Sequence, residues 1–150
     1  MDPLDFKKYR RRWILYLDLL GFRNQVIHGG ADWKTLIFVV ERYNRSREIM
    51  EEWVNRKRVL HRLPRIHLAC FSDTFLIYTD DDSALSFTRL EQAGRFIITR
   101  HLDLRLPIRG AVSCGLMYAD KRKSTYIGSA FIEAYDHAEN QNWIGLQVVS

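Results

Sequence analysis

Most of the short signatures that announce a chemistry are missing from this chain. Its 150 residues hold two cysteines, Cys70 and Cys114, with no pair at metal-ligand spacing. Both lie in apolar stretches, so two reduced core thiols are expected. His28, His61, His67, His101 and His137 form no H-x-x-x-H or H-E-x-x-H pattern, which excludes the helical zinc-protease arrangement. There is no Walker A loop, no G-x-G-x-x-G and no GGDEF run, and Ser113-Cys114-Gly115 is not a G-x-S-x-G elbow. No apolar run approaches the roughly 18–20 residues of a membrane span. The start, MDPLDFKKYRRR, lacks the apolar centre of a signal peptide. A cytoplasmic location with no membrane partner is the expectation.

What the chain does have is the balance of a globular domain. Hydrophobic residues make up 47% and charged ones 27%, enough to bury a core without staples. The net charge of +5 is concentrated in Lys7–Arg12, Arg56–Arg62 and Lys121–Lys123. Such runs are solvated faces or attract polyanions such as nucleotides and nucleic acids. Residues 1–12 read as a basic tail and 13–150 as one domain. The chain stops directly after an apolar strand, which leaves open elements beyond Ser150.

The hydrophobic pattern gives the order β-α-β-β-α-β-α-β. A buried strand covers 13–20 and ends at Gly21. After the break in HGGAD, Asp32 is placed to cap a long amphipathic helix running from Trp33 to about Leu60. Strands over 65–72 and 74–79 are separated by so little that Asp73 falls at a hairpin tip. Ser83 can cap a helix to about Leu102, followed by a strand over 106–120, a basic loop, a helix over 129–139 and a strand over 143–149. This is an α+β, ferredoxin-like (palm-like) antiparallel sheet with helices packed on one face. The first strand and the first strand of the hairpin are expected side by side.

Two acids stand out. Asp18 lies in WILYLDLLGF and Asp73 in HLACFSDTFLIY, each interrupting an apolar run where a lone carboxylate is costly. The topology brings them together, and two neighbouring carboxylates repel unless a cation lies between them. Mg²⁺ or Mn²⁺, held by one or two carboxylates and substrate phosphates, suits the pair. Leu20, Gly21 and Phe22 would open the next element with backbone N–H groups free for a phosphate. The alternative at this level is two strand-end aspartates capping turns.

The motifs YLDLLGFR, FSDTFLIY, IRGAVSCG and YIGSAFIEAY, in this order over about residues 13–149, resemble the catalytic domain of class III nucleotide cyclases. They are similar in particular to short soluble bacterial cyclases, including the pyrimidine cyclases of anti-phage (Pycsar-type) signalling. The resemblance implies two divalent ions at Asp18, Leu19 and Asp73. It also implies a catalytic or phosphate-contacting role for Arg109, six residues before Gly115, and active sites shared across a homodimer. The implied reaction is attack of a ribose 3′-hydroxyl on the α-phosphate of a nucleoside triphosphate, giving a 3′,5′-cyclic mononucleotide and pyrophosphate. A downstream effector would read the product.

The chain departs from that pattern at two places. The base-selecting positions carry Ala69 and Thr125, which do not offer the usual purine readout and leave room for UTP or CTP. Tyr126, flanking the last motif, stacks on a base or packs in the core. The transition-state Asn and Arg positions, counted from Gly128, fall on Ile132 and Asp136, leaving Lys121, Arg122 and Lys123 as the nearest cations. The alternative is therefore a catalytically inactive nucleotide- or nucleic-acid-binding module on the same fold.

Overall fold

The computed structural model describes residues 8–29, 32–56 and 63–149. The elements in chain order are β1 (Tyr9–Leu19), α1 (Phe22–Gly29), α2 (Trp33–Arg56), β2 (Ile66–Phe71), β3 (Thr74–Thr79), α3 (Ala84–Asp103), β4 (Ile108–Asp120), β5 (Thr125–Ile127), α4 (Ser129–Glu139) and β6 (Gly145–Val148). The run 57–62, with most of the second basic cluster and the expected end of the long helix, lies outside the described residues. So do Lys7 and the chain before it.

The sheet runs β2-β3-β1-β4-β5, with every pair along this path antiparallel. β6 joins in parallel along Arg109–Val112 of β4. The first strand is therefore flanked by β3 and β4, and the expectation that it lies beside β2 is corrected. β3 (TFLIYT) is buried almost throughout, whereas β2 is buried only at Ile66 and Ala69. The more apolar hairpin strand takes the centre and the other becomes the edge.

Three boundaries also move. β1 begins at Tyr9 rather than 13, so Arg10–Arg12 belongs to the sheet and not to a tail. Arg12 is buried: its guanidinium donates to the Thr79 carbonyl at 3.2 Å and lies over the Tyr78 ring. The stretch after Gly21 is a helix, α1, and the basic loop contains a short strand, β5. Asp32 and Ser83 do cap: Lys34 N–H donates to Asp32 Oδ1 at 3.1 Å, and Ser86 N–H to Ser83 Oγ at 3.2 Å.

Alternation along β1 separates two cores. Leu15, Leu17 and Leu19 join Ile77, Ile108 and Val112 under α2 and α3, with Met50, Leu90, Ala93 and Ile97 supplied by those helices. α2 and α3 are also tied through His101, whose Nε2 lies 2.8 Å from Ser46 Oγ in the buried interior. Ile14 and Tyr16 face the other way, with Ala69, Leu76, Tyr78, Ala111 and Met117, against α4. α4 approaches closely because its inner residues are Ala130, Ala134 and Ala138. A side chain at Gly115 would crowd Ala130, and one at Gly128 would strike the Leu116 carbonyl.

Candidate active site

The same alternation explains the acid in β1. Asp18 continues the Ile14–Tyr16 series, so it points to the α4 face, away from the aliphatic core. It stands opposite Thr74 on β3 and Arg109 on β4. The two-residue turn Ser72-Asp73, with Ser72 at φ +51°, places Asp73 at the hairpin tip as expected. The Leu19 N–H donates to the Asp73 carbonyl at 3.2 Å, locking that tip onto the end of β1.

Asp18 is only 8% exposed. Burial pushes its carboxyl up to about 6, the negative charges of Glu139 and Asp73 add to the rise, and Arg109 opposes it. Arg109 donates from Nε to Asp18 Oδ2 at 3.1 Å and from Nη2 to Glu139 Oε2 at 3.0 Å. Its Nη1 donates to the carbonyls of Glu139 at 2.9 Å and Gln141 at 3.1 Å. These are the carbonyls at the C-terminal end of α4, where a cation is favoured by the helix dipole. The guanidinium expected at a phosphate thus has all its bonds inside the protein and latches α4 to the sheet.

The phosphate cradle also changes. The Leu20 N–H donates to the Pro107 carbonyl at 2.9 Å and the Leu19 N–H to Asp73, so neither is free for a ligand. Gly21, at φ +76°, turns the chain into α1, and Phe22 and the residues after it carry the unsatisfied N–H groups of that helix start. Phe22 itself packs against Tyr43.

Next to Asp18 the α4 face is aromatic. Tyr16 meets Phe131 and Tyr135 edge-on at 6.1 and 5.6 Å, and its hydroxyl lies 3.3 Å from Thr74 Oγ1. Burial raises the Tyr16 phenol to about 12. Ala69 lies in this cluster with Phe71 and Tyr126, whose rings meet at 5.4 Å. Thr125 pairs with Asp120 in the sheet and donates its hydroxyl to the Lys123 carbonyl. Lys121, Arg122 and Lys123 are exposed in the turn before β5, which the buried Asp120 holds by accepting the Arg122 and Lys123 N–H groups. Ile132 is 58% exposed on α4, as is much of Asp136, one turn on. The sequence did not mark Glu139 and Gln141, which the fold brings to Arg109 from the far end of α4, nor Tyr16, which reads as one more apolar residue of the strand.

No group of three or more His, Cys, Asp or Glu side chains among the described residues is arranged to hold a metal ion. The donor set at the strand ends is two carboxylates with the Leu19 backbone beside them. That set fits a hard ion carried in with phosphate oxygens rather than a cage made by protein alone. The raised Asp18 carboxyl fits too: burial is the main cause of the rise and the neighbouring acids add to it, and a cation beside the carboxylate would oppose both.

No protein-family model matches the chain, and no curated protein matches its sequence. Solved structures do resemble it. The catalytic core of a rhodopsin-guanylyl cyclase with converted specificity, in complex with ATPalphaS, superposes with a TM-score of 0.62 at 14% identity over 88% of this chain and 72% of that one. A class III adenylyl cyclase-like ATP-binding protein from Pseudomonas aeruginosa gives 0.59 at 14% identity, over 95% of this chain but 34% of that one. An EAL/GGDEF domain protein from M. capsulatus gives 0.59 at 11% identity, over 94% and 86%. The fold is that of class III cyclase catalytic domains. No helix among the described residues is long and apolar enough to cross a membrane.

Proposed function

We propose that the protein is a metal-dependent nucleotide cyclase that converts a nucleoside triphosphate, UTP or CTP, to a 3′,5′-cyclic mononucleotide and pyrophosphate. The observation that carries this reading is the convergence of Asp18 and Asp73 at adjoining strand ends on a cyclase fold. Asp18 and Asp73, with the Leu19 backbone, would hold two ions, Mg²⁺ or Mn²⁺. When bound, the ions would supply charge neutralisation at the reacting phosphate and a lowered barrier to hydroxyl deprotonation. The start of α1 at Gly21-Phe22 faces the phosphates, and Ala69, Thr125 and Tyr126 bound the base. Arg109 acts as a positioning residue that holds Asp18 in place. Lys123 supplies the cation that the α4 positions Ile132 and Asp136 do not.

Ile132 and Tyr135 are exposed on α4 and support burial of this helix against a second copy of the chain. In this reading the product serves bacterial signalling in anti-phage defence, through an effector that binds it. The testing experiment incubates the protein with Mn²⁺ or Mg²⁺ and each of ATP, GTP, CTP and UTP, resolving products by mass spectrometry. One cyclic mononucleotide, lost on chelation, supports the reading and names the base.

A second reading keeps the fold and drops the chemistry. Arg109 is committed to protein acceptors and Ile132 and Asp136 replace the expected clamp, which favours a nucleotide-binding module. Binding without turnover by any of the four nucleotides would select it.

A further inference from the structure

Between α2, β2 and α3, on the side of the sheet away from α4, lies a cavity of about 810 Å³. Its volume suits a mononucleotide-sized ligand. Among the described residues it is lined by four cationic side chains, Arg47, Arg65, Arg89 and Lys121, and one acid, Glu51. Glu51 is already paired with Arg47 at 2.8 Å. Arg65 and Lys121 are exposed at the rim.

Arg89 is the unusual member. It is 3% exposed, yet its Nε and Nη1 have no hydrogen-bond partner. Burial alone acts on its ionisation, holding it below the usual arginine range, with no carboxylate placed to oppose that effect. The ring of Trp53, 5.5 Å from the guanidinium carbon, is its neighbour on one side. A buried guanidinium without an anion is costly, because the desolvation of the charge is uncompensated. Arg89 lines the cavity, so a ligand with anionic oxygens would satisfy the groups the protein leaves open.

We propose that this cavity is a binding site for a small phosphorylated ligand, separate from the Asp18–Asp73 site and independent of divalent metal. The phosphate bonds Arg89 in the interior, Arg65 and Lys121 close on it from the rim, and Tyr43, Leu63 and Leu68 offer an apolar wall to whatever the phosphate carries. The ligand class follows from charge: four guanidinium or ammonium groups against one paired carboxylate select a multiply charged anion.

The test is calorimetric titration of the whole chain with inorganic pyrophosphate and, in parallel, a nucleoside diphosphate, in EDTA at constant ionic strength. The wild-type protein is expected to bind, Arg89→Met to bind roughly tenfold or more weakly, and Asp73→Asn to bind unchanged. Arg89-dependent binding of either probe supports the site, and the tighter of the two names the source of the phosphate. Absence of binding overturns the proposal, as does affinity kept in Arg89→Met and lost in Asp73→Asn. Should Arg89→Met fail to fold, Arg65→Ala decides: a several-fold loss of affinity supports the site, and an unchanged affinity overturns it.

Discussion

The two faces of the sheet are built from the same strands but carry different residues. Under α2 and α3, β1 contributes Leu15, Leu17 and Leu19, and the helices answer with Met50, Leu90 and Ile97. Toward α4, the intervening positions are Ile14, Tyr16 and Asp18, and the helix answers with alanines. The first face is covered by two helices of 24 and 20 residues, the second by one of 11. One face therefore invests its burial in aliphatic packing. The other leaves polar groups, aromatic rings and exposed apolar side chains around Asp18. Strand period of two is what allows a single chain to do both.

The sharpest break between the faces is in activity. Asp73→Asn is expected to lower turnover by about two orders of magnitude or more in the product assay while the urea midpoint stays put, because the residue lies half-buried at a hairpin tip and belongs to neither core. Turnover that survives would remove the metal assignment.

Next in size is the latch. Arg109→Met leaves Asp18 buried without its partner and frees the end of α4, and should cost about 3 kcal/mol at pH 8 in denaturant unfolding. At pH 5 the loss should shrink, since Asp18 then takes a proton. Of similar size on the other face, Leu17→Ala should cost about 2–5 kcal/mol but leave nucleotide affinity unchanged. A fall in affinity with Leu17→Ala would blur the division between the faces.

The metal-free protein should also show the acid in its pH dependence. The Asp18 carboxyl is raised from 3.8 to about 6 in the folded chain, so the folded state binds its proton more tightly than the unfolded state. Its contribution is fully present below pH 4 and lost as pH rises through 6. The difference amounts to about 3 kcal/mol at most. Stability measured from pH 7 down to 4 should rise relative to Asp18→Asn. An equal slope in the two proteins would remove this assignment. The smallest effect is Tyr126→Phe, which loses the hydroxyl contact with Tyr78 at about 1 kcal/mol and keeps the ring against Phe71.

Much of the local structure was legible. Asp32 and Ser83 announce their helices because a short oxygen side chain satisfies N–H groups that the helix cannot. The two-residue gap Ser72-Asp73 announces its hairpin because only a tight turn fits. The start of β1 was hidden because Arg10–Arg12 looks like a solvated tail, and only Thr79 and Tyr78 on the neighbouring strand show why Arg12 is inside. β5 was hidden because three residues carry no period.

The sequence alone determined most of the elements, their caps and the hairpin turn, and two acids placed where an apolar run should continue, since caps, periods and turn lengths act within a few residues. Tertiary structure alone decided that β3 and not β2 lies beside β1, and that Arg109 is bound to Asp18 and the end of α4 rather than free for phosphate. It also decided that Leu19 and Leu20 have spent their N–H groups on Asp73 and Pro107. The physical reason is the same in each case. Hydrogen-bond partners and strand neighbours are chosen by which groups are desolvated together, and that is a property of the packed sheet, not of any stretch of chain.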